Sequence, residues 1–300
     1  MKAPPPLRPG DRIGIVSTAR KVTAHELLPL VNLIKSWGLT AVLGKTIGAA
    51  HGQYAGSDAL RTGDLQHMMD NPNIHAIWCA RGGYGTIRII DALHFETFLQ
   101  NPKWLIGYSD VTVLHSHLHN LGVQTLHGQM GLDIEKKTGA ARSTVYKALF
   151  GETYSILTKT TNSLNKNGTA TATIVGGNLS LLYGMCGSPS AIDTDGKILF
   201  IEDVDEYLYH VDRMVMNLKR NGLFNNLKAL VVGGMSSMND NRVPFGKTAE
   251  AIVREAVAEY GYPVCFNFPA GHVKDNRALK LGSAATLKVE ATEVTLTFKN

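Results

Sequence analysis

The chain is poor in the features that mark several protein classes. Cysteine occurs three times, at Cys79, Cys186 and Cys265, far apart and with no Cys-x-x-Cys pair. Neither a disulfide framework nor a zinc knuckle follows from that, and each thiol sits in an apolar stretch where a buried, reduced side chain is expected. No apolar run approaches the length of a transmembrane helix. The N-terminal Met1-Lys2-Ala3-Pro4-Pro5-Pro6 has no apolar signal core behind it, so the chain as given reads as cytoplasmic. Thirty Lys and Arg face 25 Asp and Glu, a net charge of +5. The cations are dispersed rather than clustered, which argues against a nucleic acid partner. A phosphate loop of the Gly-Lys-Ser/Thr type is also missing. Gly83-Tyr84-Gly85 begins a G-x-G, but Arg88 stands where a dinucleotide fingerprint has its third glycine.

What is present is a chain of 300 residues, 44% apolar, long enough to bury one large core or two ordinary ones. The first half alternates strand-like runs (12–17, 40–43, 74–80, 104–108 and 123–126) with helical patterns (25–37, 57–69, 85–90 and 110–121). That alternation predicts an α/β fold with a parallel sheet covered on both faces. Such sheets place ligands at the carboxyl ends of their strands. From 151 to 168 the pattern dissolves into Thr, Asn, Ser and Lys, which reads as a linker. Two α/β domains, 1–150 and 169–300, are expected around it. The second has strands near 197–201 and 229–233, helices near 178–185, 209–220 and 247–260, and a closing hairpin over 286–298.

Four segments carry possible chemistry. Trp104–Tyr108 is an apolar strand that stops at Ser109-Asp110, with a helical pattern directly behind. A serine there is held out of the sheet beside unpaired helix N–H groups that could hold an oxyanion. It could equally cap the helix, and Asp110-Val111 departs from a full G-x-S-x-G elbow. The loop Arg81-Gly82-Gly83-Tyr84-Gly85 follows the strand 74–80 and, if the two strands are neighbours, lies beside Ser109. A serine nucleophile needs a base. His115, His117 and His119 lie on one predicted helix, where a spacing of two keeps them from meeting at one ion; they read as surface or inter-helix residues. His272 instead follows a strand and a Pro/Gly turn, where loop residues often do chemistry, although a capping or hydrogen-bonded loop histidine fits that position equally. Glu202, at the end of Lys197–Ile201, is the acid expected to orient it, with Asp203 and Glu206 as rivals. Asn178 could face the cleft or cap its own helix.

Taken together, Arg81–Gly85, Gly107-Tyr108-Ser109-Asp110, Gly176-Gly177-Asn178-Leu179, Phe200-Ile201-Glu202-Asp203 and Pro269-Ala270-Gly271-His272 resemble the LD-carboxypeptidase family of serine peptidases, in the family's order and across nearly the whole chain. The resemblance implies a flavodoxin-like N-terminal domain and a swivelling-type C-terminal α/β domain with the active site between them. It implies a Ser109–Glu202–His272 triad, with the Gly83 and Asp110 amides as oxyanion hole and no metal or other cofactor. Arg81, Tyr84 and Asn178 stand as candidates for substrate binding. Family members remove the terminal D-alanine from murein tetrapeptides during cell-wall recycling in the cytoplasm and are commonly homodimers. A related branch inactivates microcin C-type peptide–nucleotide antibiotics, with a glycine loop less like this one. A two-domain small-molecule binding protein without catalysis is the reading from another class.

Overall fold

The computed structural model describes residues 1–298; Lys299 and Asn300, the end of the expected C-terminal domain, lie outside the described residues. The first sheet is built from β1 (Arg12–Val16), β2 (Thr40–Leu43), β3 (Ala76–Cys79), β4 (Trp104–Gly107) and β5 (Thr125–His127). They run parallel in the order β2-β1-β3-β4-β5, the flavodoxin-like order. Every residue of β3, β4 and β5 is buried, as unbroken apolar runs require when helices cover both faces of a sheet. The helices Leu28–Ser36, Asp58–Asp70 and Thr112–Asn120 make the crossovers.

One crossover departs from the expected pattern. Instead of a helix over 85–90 there are two short 3-10 turns, Thr86–Arg88 and Ile90–Ala92, then the helix Glu96–Gln100. Gly85 has φ +150°, which no helix accommodates, and the Thr86 N–H is taken by the Asp110 side chain at 2.8 Å. Both effects hold this segment to the sheet edge rather than letting it wind.

The second sheet contains β6 (Tyr154–Lys159), β7 (Gly168–Asn178), β8 (Ile198–Val204), β9 (Ala229–Ser236), β10 (Val264–Cys265), and, late in the chain, β12 (Ala284–Val289) and β13 (Glu293–Phe298). Its order is β10-β9-β8-β7-β12-β13-β6. β7 to β10 are parallel and the rest antiparallel. Two expectations need correction. The stretch 151–168 is not a plain linker, because β6 forms the edge of this sheet against β13. Its alternation is real but masked by polar residues, with Tyr154 and Ile156 inward and Ser155 and Leu157 outward. The two halves are also not strictly sequential. β11 (Leu279–Leu281) returns to the first sheet and pairs antiparallel with β5.

The halves share their cores. One apolar cluster joins Val16, Val113 and Leu118 to Val175, Leu179 and Leu199; the other joins Ile106 and Leu126 to Ile174, Phe200 and Phe268. At the joint a Cβ on Gly177 would fall 2.5 Å from Thr112 Oγ1. Asn178 N donates to that same oxygen at 3.0 Å. Glycine is required here because the helix behind Ser109 lies directly on β7, the neighbour of β8.

Candidate active site

A cleft with about 600 Å³ of empty space opens at the carboxyl ends of four parallel strands. Arg20 follows β1, Arg81 to Gly83 follow β3, Tyr108 and Ser109 follow β4, and Gln129 to Asp133 follow β5; Lys137 and His272 close the rim. Ser109, Gly83 and His272, expected together from the sequence, therefore share one pocket.

Ser109 has φ +59°, in the left-handed region that costs a residue with a side chain about 1 kcal/mol or more. The turn is tight: a Cβ on Gly107 would come within 2.8 Å of Val111 Cγ2. Neither the 3-10 turn Ser109–Val111 nor the helix Thr112–Asn120 takes a side-chain cap bond at its start. The capping alternative for Ser109 therefore has no bond behind it. The glycine loop does lie beside it, since β3 and β4 pair and a Cβ on Gly82 would be 3.6 Å from Ser109 Cβ. Among the described residues, the Gly83 and Asp110 amides donate to no other protein group. Both are thus unspent donors near the serine.

The Asp110 side chain works inward. It is fully buried, its carboxyl is pushed up by that burial, and through Thr86 N it ties the end of the glycine loop to the serine turn. Arg61 clamps the same loop from below. Its guanidinium, fully buried, donates to Thr18 O at 2.5 Å and Gly85 O at 2.8 Å and pairs with Asp58. Nothing in the sequence separates this buried arginine from an ordinary one on an amphipathic helix.

Glu202 lies inside β8, two residues before its end, rather than after the strand. It is fully buried, and its Oε2 accepts from His272 Nδ1 at 2.6 Å and from His272 N at 3.0 Å. A carboxylate can only accept, so Nδ1 carries the proton and Nε2 is left for the cleft. Gly271 makes this possible. Its φ is +97°, and a Cβ there would lie 2.5 Å from Glu202 Oε2. We expect Gly271→Ala to cost about 2–4 kcal/mol, read as a lowered denaturation midpoint. The loop is held further by Ser236 Oγ, which donates to His272 O at 2.9 Å, and by Lys137 Nζ, which donates to Val273 O at 2.8 Å.

The rival acids point elsewhere. Glu206 bonds His210 at 2.6 Å. Asp203, on the opposite pleat, accepts from Asn178 Nδ2, Ser180 N and Val204 N, each at 2.9 Å. Of the two roles open to Asn178, cleft residue or helix cap, the structure shows the cap. Asn178 is buried, sits opposite Glu202 in register, caps its helix through Leu181 N at 3.2 Å, and reaches Glu202 Oε1 at 3.4 Å. It steadies the acid from behind. Tyr84 is exposed and turned toward Tyr54, outside the lining of the cleft. Arg81 does line it, though Nη1 donates to Lys21 O at 2.8 Å.

Burial, and then the Glu202 charge, push the Asp203 carboxyl up to about 7 from an ordinary 3.8, against the pull of its N–H donors. The folded protein then keeps a proton that the unfolded chain releases. That contribution to stability is complete below about pH 4 and is lost as the pH rises toward about 7. Asp203→Asn is accordingly expected to flatten the fall in melting temperature over that window, as read by thermal denaturation at a series of pH values.

The helix histidines also differ from expectation. His115 is buried, bonded to Thr125 Oγ1 and Gly107 O at 2.8 and 2.9 Å, and burial lowers it to about 4. It braces β4 just before the serine turn. His117 reaches Ser190 Oγ at 2.9 Å. Among the described residues no group of three or more His, Cys, Asp or Glu is placed to hold a metal, and no helix is long and apolar enough to cross a membrane. Cys79 and Cys265 are buried and Cys186 is half-buried, all unpaired.

Residues 13–128 match the LD-carboxypeptidase N-terminal domain, and residues 171–287 match the LD-carboxypeptidase C-terminal domain. This chain belongs to the LD-carboxypeptidase family. It is 34% identical over 293 residues to the probable murein peptide carboxypeptidase of Bacillus subtilis, covering 95% of this chain and 91% of that one. It is similar in structure to muramoyltetrapeptide carboxypeptidase from Oxalobacter formigenes, with a TM-score of 0.86 and 26% identity over 96% of this chain and 99% of the other. The microcin C7 self-immunity protein MccF of Escherichia coli is 24% identical over 332 residues, covering 97% of this chain and 94% of MccF. The two matched domains thus meet where Ser109 from the first and His272 from the second line one cleft, with Glu202 buried behind His272.

Proposed function

We propose that this protein is a serine LD-carboxypeptidase that releases the terminal D-alanine of murein tetrapeptides, with Ser109 as nucleophile, His272 as base and Glu202 as its orienter. The observation that carries the reading is the 2.6 Å bond from His272 Nδ1 to the buried Glu202, opening on the cleft that Ser109 enters from a left-handed turn. His272 Nε2 takes the Ser109 proton as the hydroxyl oxygen attacks the scissile carbonyl carbon. The resulting oxyanion is held by the Gly83 and Asp110 amides, each such donor contributing on the order of 3 kcal/mol. The imidazolium, stabilised by Glu202, returns the proton to the departing amine. Water then repeats the sequence on the acyl-enzyme. The names of the Bacillus and Oxalobacter proteins support a murein peptide as substrate. Cell-wall recycling in the cytoplasm and a homodimeric state belong to the same reading through the family resemblance.

The test is direct. Purified protein incubated with a defined murein tetrapeptide is expected to give tripeptide and free D-alanine, and the all-L peptide is expected to stay intact. The similarity to MccF supports a second reading, hydrolysis of a microcin C-type peptide–nucleotide conjugate. Faster turnover of such a conjugate than of the tetrapeptide would select it.

A further inference from the structure

A carboxypeptidase must distinguish a free chain end from a longer peptide, and the distinguishing group is an anionic carboxylate. In the departing residue that carboxylate carbon is three bonds from the scissile carbonyl carbon, within about 4 Å. The cation that reads it must therefore border the oxyanion site.

The cleft lining holds three cations, Arg20, Arg81 and Lys137. Arg81 spends Nη1 on Lys21 O, and Lys137 spends Nζ on Val273 O. Arg20 differs: among the described residues its guanidinium meets no protein acceptor. It is nevertheless placed. Its N–H donates to Gly82 O at 3.3 Å, and its carbonyl accepts from Ser17 Oγ at 2.6 Å. Its stem lies on the glycine loop, where a Cβ on Gly83 would fall 2.6 Å from Arg20 Cδ and 2.7 Å from Nε. The one anion of the lining, Asp133, is already paired with Lys136 at 2.8 Å. A fork of unspent donors thus runs along the backbone whose amide borders Ser109.

We propose that Arg20 binds the terminal carboxylate of the substrate and sets the enzyme's preference for a free chain end. This rests on the carboxypeptidase reading above. A planar guanidinium matches a carboxylate through two parallel hydrogen bonds, which a lysine cannot reproduce.

The experiment compares kcat/KM for the tetrapeptide as free acid and as C-terminal amide, in wild type, Arg20→Met and Arg20→Lys. Wild type should prefer the acid by about 50-fold or more. The preference should fall below about 5-fold in Arg20→Met and be intermediate in Arg20→Lys. A wild-type ratio retained in Arg20→Met, including equal losses on both peptides, would overturn the proposal, since a merely structural role moves both alike. Equal cleavage of acid and amide by wild type would overturn it as well. Cleavage of neither peptide by wild type would remove the carboxypeptidase reading itself, and this proposal with it.

Discussion

Ser109→Ala is expected to lower the rate of D-alanine release by about 10⁴-fold or more. The loss is that large because the hydroxyl oxygen forms the covalent bond, and the rest of the site can only bind and polarise a substrate that no group attacks. The protein should still fold, since Ser109 caps no helix and lines the cleft rather than the core. A second variant separates chemistry from backbone. Ser109→Gly should be as inactive as Ser109→Ala yet more stable, because glycine occupies φ +59° without the strain a Cβ brings there. A gain of about 1 kcal/mol in denaturant unfolding, together with absent turnover, is the expected pair of results. A glycine variant less stable than the alanine one would mean that the turn is not strained at this residue.

Glu202→Gln should lower kcat by about 10³- to 10⁴-fold with little change in KM. The carboxylate does two things at one atom: Oε2 receives both the ring Nδ1–H and the main-chain N–H of His272. Glutamine can place its carbonyl oxygen there and keep both bonds, but its amide nitrogen then faces the Asn178 Nδ2 donor. If it turns the other way, it offers donors to Nδ1 and favours the tautomer with the proton on Nε2, where no base remains for Ser109. In either orientation the charge that stabilises the imidazolium is gone. Because Glu202 is fully buried, water cannot replace that charge. Rate loss at near-normal KM distinguishes this from a binding defect; a rise confined to KM, with kcat unchanged, would contradict the assignment.

Much of this was legible in the sequence for one physical reason. A parallel sheet buried on both faces needs unbroken apolar runs, and the residues that interrupt such runs at their carboxyl ends stand out. Ser109 after Trp104–Tyr108 and the glycine loop after the strand 74–80 are read that way, and the ordered motifs point to His272 and Glu202. What stayed hidden depends on contacts made far along the chain. β6 is hidden because an edge strand with Ser155 and Lys159 on its outer face and Thr158 on its inner one looks like a linker. β11 is three residues long, and only its partner β5 makes it a strand. For Asn178 the sequence leaves cleft and helix cap both open, and pleating and register decide for the cap by turning it toward Asp203 and Glu202 behind the site. Arg20 follows the first strand just as Ser109 follows the fourth. The rule that ligands gather at strand ends could have found it, but no motif marked it. Arg61 left no signal, since burial of a guanidinium under Thr18 and Gly85 is decided by tertiary packing alone.

The central claim is that the peptide bond is broken through an acyl-enzyme on Ser109. Turnover of the tetrapeptide in the presence of hydroxylamine tests it most directly, because an ester intermediate can be intercepted by a nucleophile other than water. The expected result is tripeptide hydroxamate, formed by wild type in proportion to hydroxylamine, with D-alanine release undiminished, and none formed by Ser109→Ala. D-alanine release accompanied only by free tripeptide acid at every hydroxylamine concentration would contradict the account and indicate direct attack by water.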